Sequence, residues 1–239
     1  MPNSNLKPEY TNSFDLGLKH TIASKLELEI GLFYTNFSNA IIKAPYTLNG
    51  QDSILYNNVN SQILASQNAN HAYLYGGNLN IHMHFDKHWK FSGSVNLAKG
   101  RFLTDVKSKS TIYQKQEDGS YSIVKANVSS KPLDHIPPIF GKLSLGYERK
   151  KRYAELYMLY NGWKPLNQYN ADGEDNAQYA TAKGSPSWQT LNIKAGTSVG
   201  EKLTIQAGIE NILDINYRYF ASGFSAPGRS FIISLRAHF

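Results

Sequence analysis

The chain has 239 residues, no cysteine, and a formal net charge of +7 from 25 basic and 18 acidic side chains. The absence of cysteine excludes disulfides and thiolate metal sites, and no run of eighteen apolar residues is present to write a transmembrane helix. The negative mean hydropathy leaves a membrane barrel open, because its strands alternate lipid-facing and interior residues and average out as polar.

Aromatics make up 13% of the chain and charged residues 18%, a mixture that suits strands better than helices. In chain order, "SFDLGLKH" sets Phe14, Leu16 and Leu18 against Asp15, Gly17 and Lys19. "LELEIGLFYTN" sets Leu26, Leu28, Ile30, Leu32 and Tyr34 against Glu27, Glu29 and Thr35. "YLYGGNLNIHMHF" puts Tyr73, Tyr75, Leu79, Ile81, Met83 and Phe85 on one face, and "WKFSGSVNL" does the same with Trp89, Phe91, Val95 and Leu97. In the second half come "IFGKLSLGY" with Leu143, Leu145 and Tyr147, then "YAELYMLYNGW", whose two faces are both rich. Here Leu156, Met158 and Tyr160 are assigned outward so that Glu155 points in. "WQTLNIKAGTSV", "LTIQAGIEN" and the terminal "SFIISLRAHF" complete the series. Each is a period-2 pattern with one apolar face, about nine strands and no amphipathic helix.

The connections alternate. Short turns fall at 22–25, 86–88, 149–152 and 199–202, and long polar segments at 37–70, 99–137, 164–187 and 211–228. Outer-membrane barrels place every long loop at one end and every short turn at the other. Strands of about ten residues, tilted ~45°, rise ~23 Å along the membrane normal, which fits the apolar band. Phe85, Trp89, Tyr147, Tyr153 and Phe239 are expected to form an aromatic girdle at the turn level, and Tyr34, Tyr73, Tyr160, Trp163 and Trp188 one at the loop level. "ERKKR" at 148–152 reads as a solvated turn, and the other basic residues are too scattered to suggest nucleic-acid binding.

An odd count of strands leaves the two ends on opposite sides of the membrane, whereas a single-chain bacterial barrel has an even count. Open edges in hydrocarbon cost several kcal/mol for each unpaired group. Residues 1–239 are therefore expected to be the C-terminal segment of a larger barrel. That expectation also accounts for a start, "MPNSNLKPEY", without a signal peptide.

The stretch "GIENILDINYRYFASGFSAPGRSFIISLRAHF" (208–239) resembles the C-terminal signature of TonB-dependent outer-membrane receptors. "NSNLKPEYTNSFDLG" (3–17) and "PLDHIPPIFGKLSLGY" (132–147) resemble further segments of that family. The resemblance implies an all-β, antiparallel 22-stranded transmembrane barrel, of which this chain supplies about nine C-terminal strands. It places the N-terminal plug, the TonB-box and the signal peptide upstream of residue 1. It also implies TonB-energised import of a scarce nutrient, an iron siderophore or haem above others, in the outer membrane of a Gram-negative bacterium. The partners so implied are outer-membrane lipid and lipopolysaccharide, a small-molecule substrate, the TonB complex through the upstream region, and the barrel-assembly machinery. In this resemblance the assembly signal maps onto Phe231, Ile233, Leu235 and Phe239. A passive porin-type barrel and a soluble β-sandwich binder are the alternatives.

No nucleophile elbow or phosphate-binding glycine loop is present, so the chain is not expected to be an enzyme or to hold a cofactor. His82 and His84 share a face ~7 Å apart, but a polar interior lining explains them better than metal ligation. His71 and His135 lie on the loop side, where a haem receptor would use a histidine. "TIYQKQEDGSYSIV" reads as a hairpin about Asp118-Gly119 that carries Tyr113 and Tyr121, the two tyrosines that an aromatic siderophore would touch. "ADGEDN" gathers Asp172, Glu174 and Asp175 in a segment read as a solvated turn.

Overall fold

The computed structural model describes residues 3–69, 71–104 and 109–237. Nine long strands follow one another as an antiparallel meander: β1 (Tyr10–Ile22), β2 (Leu26–Ser38), β3 (His71–His84), β4 (Trp89–Leu103), β5 (Phe140–Arg149), β6 (Arg152–Asn161), β7 (Trp188–Val199), β8 (Leu203–Glu210) and β9 (Ser230–Ala237). A short strand, Ser130–Pro132, continues the β5 side of the sheet against the loop end of β4. No described helix is long and apolar enough to cross a membrane, which says nothing of strands.

Register follows from the alternation, because a slip of one residue would exchange the two faces of a strand. Directly opposed residues run Ile22, Leu26, Met83, Phe91, Leu145, Leu156, Ile193, Ile209 and Phe231 across all nine strands. The row starts at the turn end of β1 and finishes at the loop end of β9, so the strands are staggered as a tilted barrel wall requires. The opposite face carries Thr21, Glu27, His82, Ser92, Ser144, Tyr157 and Asn192 in register. Glu155 lies on this polar face between Lys142 (2.7 Å) and Lys194 (2.9 Å), which settles the ambiguous parity of β6 with Leu156, Met158 and Tyr160 on the apolar side.

Nothing among the described residues covers the apolar face. Phe14, Leu18, Phe231, Ile233 and Leu235 are 62–78% exposed. The buried apolar residues belong to the loop end, where Ala40, Ala69, Ala72 and Phe102 form a small cluster. A two-sheet sandwich would have packed these rows together; a single sheet presents them outward instead. β1 pairs only with β2, and β9 only with β8, so both edges of the described sheet are unpaired.

Three of the four short turns use left-handed backbone. Ala23 and Ser24 have φ of 50° and 55°, Lys150 55° and Gly200 64°, matching the twist of the strands they join. The long connections are built. Ile41–Pro45 pairs with Leu64–Asn68, and Ser53–Tyr56 with Val59–Gln62, in the first of them. The hairpin expected about Asp118-Gly119 is Ser110–Lys115 paired with Tyr121–Ala126. Asp118 Oδ1 accepts from Ser120 N–H at 2.9 Å, and Gly119 takes φ 80°.

Two of the girdle expectations are corrected by register. Tyr153 pairs with Glu148 and Gly196 on the polar face, where its hydroxyl donates to Gln206 Oε1. Trp188 pairs with Asn161, also on the polar face, and is drawn there by aromatic partners in the loop layer. Trp89 and Tyr147 do meet on the apolar face, 4.9 Å apart. Phe239 lies outside the described residues.

Candidate functional site in the loop layer

Three segments meet above the strands: the β4–β5, β6–β7 and β8–β9 connections. The last is shaped by Asn211, which is 2% exposed with φ 50°. Its backbone N–H donates to Asn192 Oδ1 on β7 (2.8 Å). Its side chain accepts from Ile215 N–H and donates to Ile215 O, each at 2.9 Å. Asp214 Oδ1 then accepts from Arg229 N–H (2.7 Å), and Arg229 Nε donates to Ile212 O (2.9 Å). The residues of "ENILD" and "APGRSF" thus close the loop back on the wall. At the other end of the sequence, Lys7 N–H donates to Asn68 Oδ1 and Ile41 N–H to Glu9 Oε2, both at 2.7 Å. "LKPE" accordingly ties the entry of β1 to the first long connection.

The β4–β5 and β6–β7 connections are clasped by buried charge. Lys131, beside Phe102, forms an ion pair with Asp172, their side chains 5% and 3% exposed. Asn170 is fully buried and donates to Asp134 Oδ1. Glu174 Oε1 accepts from His135 N–H (3.0 Å), and His135 Nε2 meets Asp175 Oδ2 at 2.9 Å. Lys164, 2% exposed, donates to Ile136 O and lies 3.8 Å over the Phe220 ring. Burial pulls the Lys164 ammonium down from 10.5 to about 8, against the opposing pull of Glu174 and Asp134. Burial likewise raises the Glu174 carboxyl, with Lys164 resisting. "ADGEDN" is therefore not a solvated turn: Asp172 and Glu174 are drawn inside by cations from outside the motif. Lys131 and Lys164 carry no local pattern that would have marked them in the sequence.

Beside this clasp opens a cleft of about 920 Å³ walled by Tyr169, Tyr179, Trp188, Tyr217, Tyr219 and Phe220, with Arg218 among them. Trp188 packs tilted against Tyr217 (4.2 Å) and meets Tyr219 edge-on (5.0 Å), while its Nε1 donates to Arg218 O at 3.1 Å. The Arg218 guanidinium lies 4.1 Å over the Tyr179 ring. Burial pushes the Tyr169 and Tyr217 hydroxyls up to about 12, so both stay neutral donors. Arg218 Nη1 and Glu174 Oε2 are buried with no hydrogen-bond partner among the described residues. Aromatic faces around one incompletely satisfied guanidinium suit a flat, anionic, ring-bearing ligand.

The four loop residues singled out from sequence separate. Tyr113 packs edge-on against Tyr169 at 6.2 Å, Tyr121 N–H joins the hairpin to Ala182 O (2.9 Å), and His135 belongs to the clasp. His71 pairs with Ser38 on the apolar face, turned away from the other three. His82 stays on the polar face, 3.1 Å from Ser92 Oγ, and no group of three or more potential metal ligands occurs among the described residues.

The family described as TonB dependent receptor-like, beta-barrel matches residues 1–212. Lactoferrin-binding protein A of Neisseria meningitidis is 26% identical over 165 residues, covering 54% of this chain and 17% of its own. Among solved structures, a copper transporter superposes with TM-score 0.70 at 18% identity, over 98% of this chain and 32% of that one. The ferric yersiniabactin uptake receptor of Yersinia pestis superposes with TM-score 0.58 at 16% identity, over 97% and 30%. This chain thus spans about a third of the solved chains, and less of the curated relative.

Proposed function

The chain belongs to the TonB-dependent receptor β-barrel family, and we propose that it is the C-terminal nine-strand segment of a closed outer-membrane barrel that imports a scarce nutrient. The observation that carries this reading is the continuous apolar row across nine staggered strands with both sheet edges unpaired. Such edges persist in a bilayer only where further strands complete the cylinder. In this reading the polar face lines a plugged interior, the long connections face outward from the cell, and TonB acts through a plug encoded upstream.

The substrate favoured is an iron siderophore with aromatic, anionic groups, received at the cleft of Trp188, Tyr217, Tyr219 and Arg218. The relative named for ferric yersiniabactin uptake supports that choice. A second reading, a protein iron carrier, is favoured by the relative named for binding lactoferrin. It is also favoured by the hairpin that lifts Leu55, Tyr56 and Val59 into solvent, each 63–73% exposed. Lipopolysaccharide would meet the apolar face at its loop end, where Lys99 and Arg101 pair with Tyr75 and Tyr73. Phe231, Ile233 and Leu235, exposed in a row, are what the barrel-assembly machinery would read.

The deciding experiment is growth of a deletion strain of the full-length gene on ferric siderophores, haem or lactoferrin as sole iron source. Loss of growth on one source, reproduced by inactivating TonB, is the expected result, and Arg218→Ala should reproduce it for a siderophore. Uptake that persists without TonB would establish the porin-type alternative instead.

A further inference from the structure

Charge is confined to the two ends of the apolar face. Among the described strand residues on that face, the Lys, Arg, Asp and Glu present are Lys99 and Arg101 at the loop end and Arg149 and Arg152 at the turn end. All four are cations. At the turn end the two arginines are placed in a way that the sheet itself does not favour, because Arg149 and Arg152 are direct cross-strand partners. Like charges set opposite one another on one face of a sheet destabilise it unless an anion lies between them.

No described side chain supplies that anion. Glu148, adjacent in sequence, points to the other face and is engaged by Lys90 at 3.3 Å. Lys151 turns to the neighbouring turn and donates to Gly200 O at 2.8 Å. Arg149 and Arg152 are both exposed, and neither makes an ion pair among the described residues. Directly above them on the same face lie Tyr147, partner of Trp89 and Ala154, and the Trp89 ring tilted against it. Aromatic side chains of this kind settle at the headgroup level of a bilayer. Two guanidinium forks one step beyond that level meet lipid phosphates, which they bind in bidentate fashion.

We propose that Arg149 and Arg152 form a binding site for the phosphate of an anionic phospholipid, such as phosphatidylglycerol, in the leaflet on the short-turn side. The Trp89–Tyr147 pair flanks its glycerol and upper acyl region. The proposal rests on the membrane-barrel reading above. It gives "ERKKR" a role beyond that of a solvated turn: Lys150, with φ 55°, makes the tight reversal that holds the two arginines side by side.

The test uses the full-length protein that contains this chain, folded into bilayers of phosphatidylcholine with a minor fraction of phosphatidylglycerol. Lipids retained on the protein are then compared by native mass spectrometry. Wild type should retain phosphatidylglycerol in excess of its bulk fraction, and Arg149→Gln or Arg152→Gln should each lower that preference roughly fivefold. Arg149→Lys with Arg152→Lys, which keeps the charge, should retain part of it, and Lys99→Gln should leave it unchanged. An undiminished preference in the double glutamine variant would overturn the proposal. So would displacement of the lipid by inorganic phosphate, which would mark a site for the free ion. A protein that enters neither neutral nor anionic bilayers would instead overturn the barrel reading on which the site depends.

Discussion

The sheet and the loop layer solve opposite problems. In the sheet, large apolar side chains stand uncovered, and the row Met83, Phe91, Leu145, Leu156 and Ile193 finds its neighbours only along the face. Its interior is supplied by the solvent it is made for. In the loop layer a small apolar cluster is joined by buried polar and charged groups: Lys131, Lys164, Asn170 and Asn211, with Thr190 and Asn192 beneath them on β7. A wall exposed to hydrocarbon saturates its backbone by pairing and leaves its side chains uniform. A cap exposed to water, without a large apolar core, fastens its segments with buried ion pairs and side-chain-to-backbone bonds, each of which is costly to break singly.

The largest expected effect tests the clasp. Asp172→Ala strands Lys131 in a buried site and should destabilise the loop layer by about 3–5 kcal/mol, read as loss of hydrogen-exchange protection in the β4–β5 and β6–β7 connections. Replacing both partners with apolar residues should restore most of that protection, since the desolvation cost then disappears.

The wall is tested next. Leu145→Arg or Ile205→Arg should cost about 2–4 kcal/mol in the intact barrel, measured by denaturant titration of the full-length protein in vesicles. Ser144→Arg, one residue away on the polar face, should be far milder. Equal costs at Leu145 and Ser144 would break the distinction between the two faces.

A pH dependence should be readable in the loop layer. Because Lys164 has a folded value of about 8 against 10.5, the unfolded loop binds more protons across that window. Stability contributed at this site therefore rises as pH goes from about 8 to about 10.5, by up to ~3 kcal/mol. Glu174, whose carboxyl is raised from 4.5, acts in the other sense: its contribution is lost as pH rises from 4.5 through the folded value. Hydrogen exchange corrected for intrinsic rates should show the alkaline rise, and Lys164→Met should flatten it.

The smallest effect refines the picture of the wall. Tyr160 lies across Gly141, where a Cβ would collide with Ser94 O and with the tyrosine itself, and its hydroxyl donates to Ser94 O at 3.0 Å. Tyr160→Ala should cost about 1 kcal/mol, and Tyr160→Phe somewhat less, in the same vesicle titration.

These two regions differed equally in how legible they were. Parity along Leu26–Tyr34 or Trp89–Leu97 could be read residue by residue, because a strand's neighbours are set by a period of two. Tyr153 and Trp188 departed from expectation because these aromatics were placed by type and not by that rule. Tyr153 sits on the polar face because it is two residues from Glu155, and Trp188 because it is two from Thr190 and four from Asn192. In the loops, Tyr113, Tyr121 and His135 were drawn from residue chemistry and fell near the clasp, but Lys131, Lys164 and Arg218 were passed over. A lone lysine in a polar segment has no local mark of burial; its fate depends on which carboxylates the other connections bring to it.

By itself the sequence determined the nine strands, their order, the face that side chains take outside β6 and the alternation of short turns with long connections. Each of those follows from the two-residue period and from turn chemistry, which are local. Tertiary structure alone decided that the Asp172 side chain is buried and Glu174 half-buried, that an aromatic cleft forms around Arg218, and that Arg149 and Arg152 stand opposed without a described anion. Those outcomes depend on juxtapositions between segments tens of residues apart, where the balance of desolvation against pairing is settled only once the partners have met.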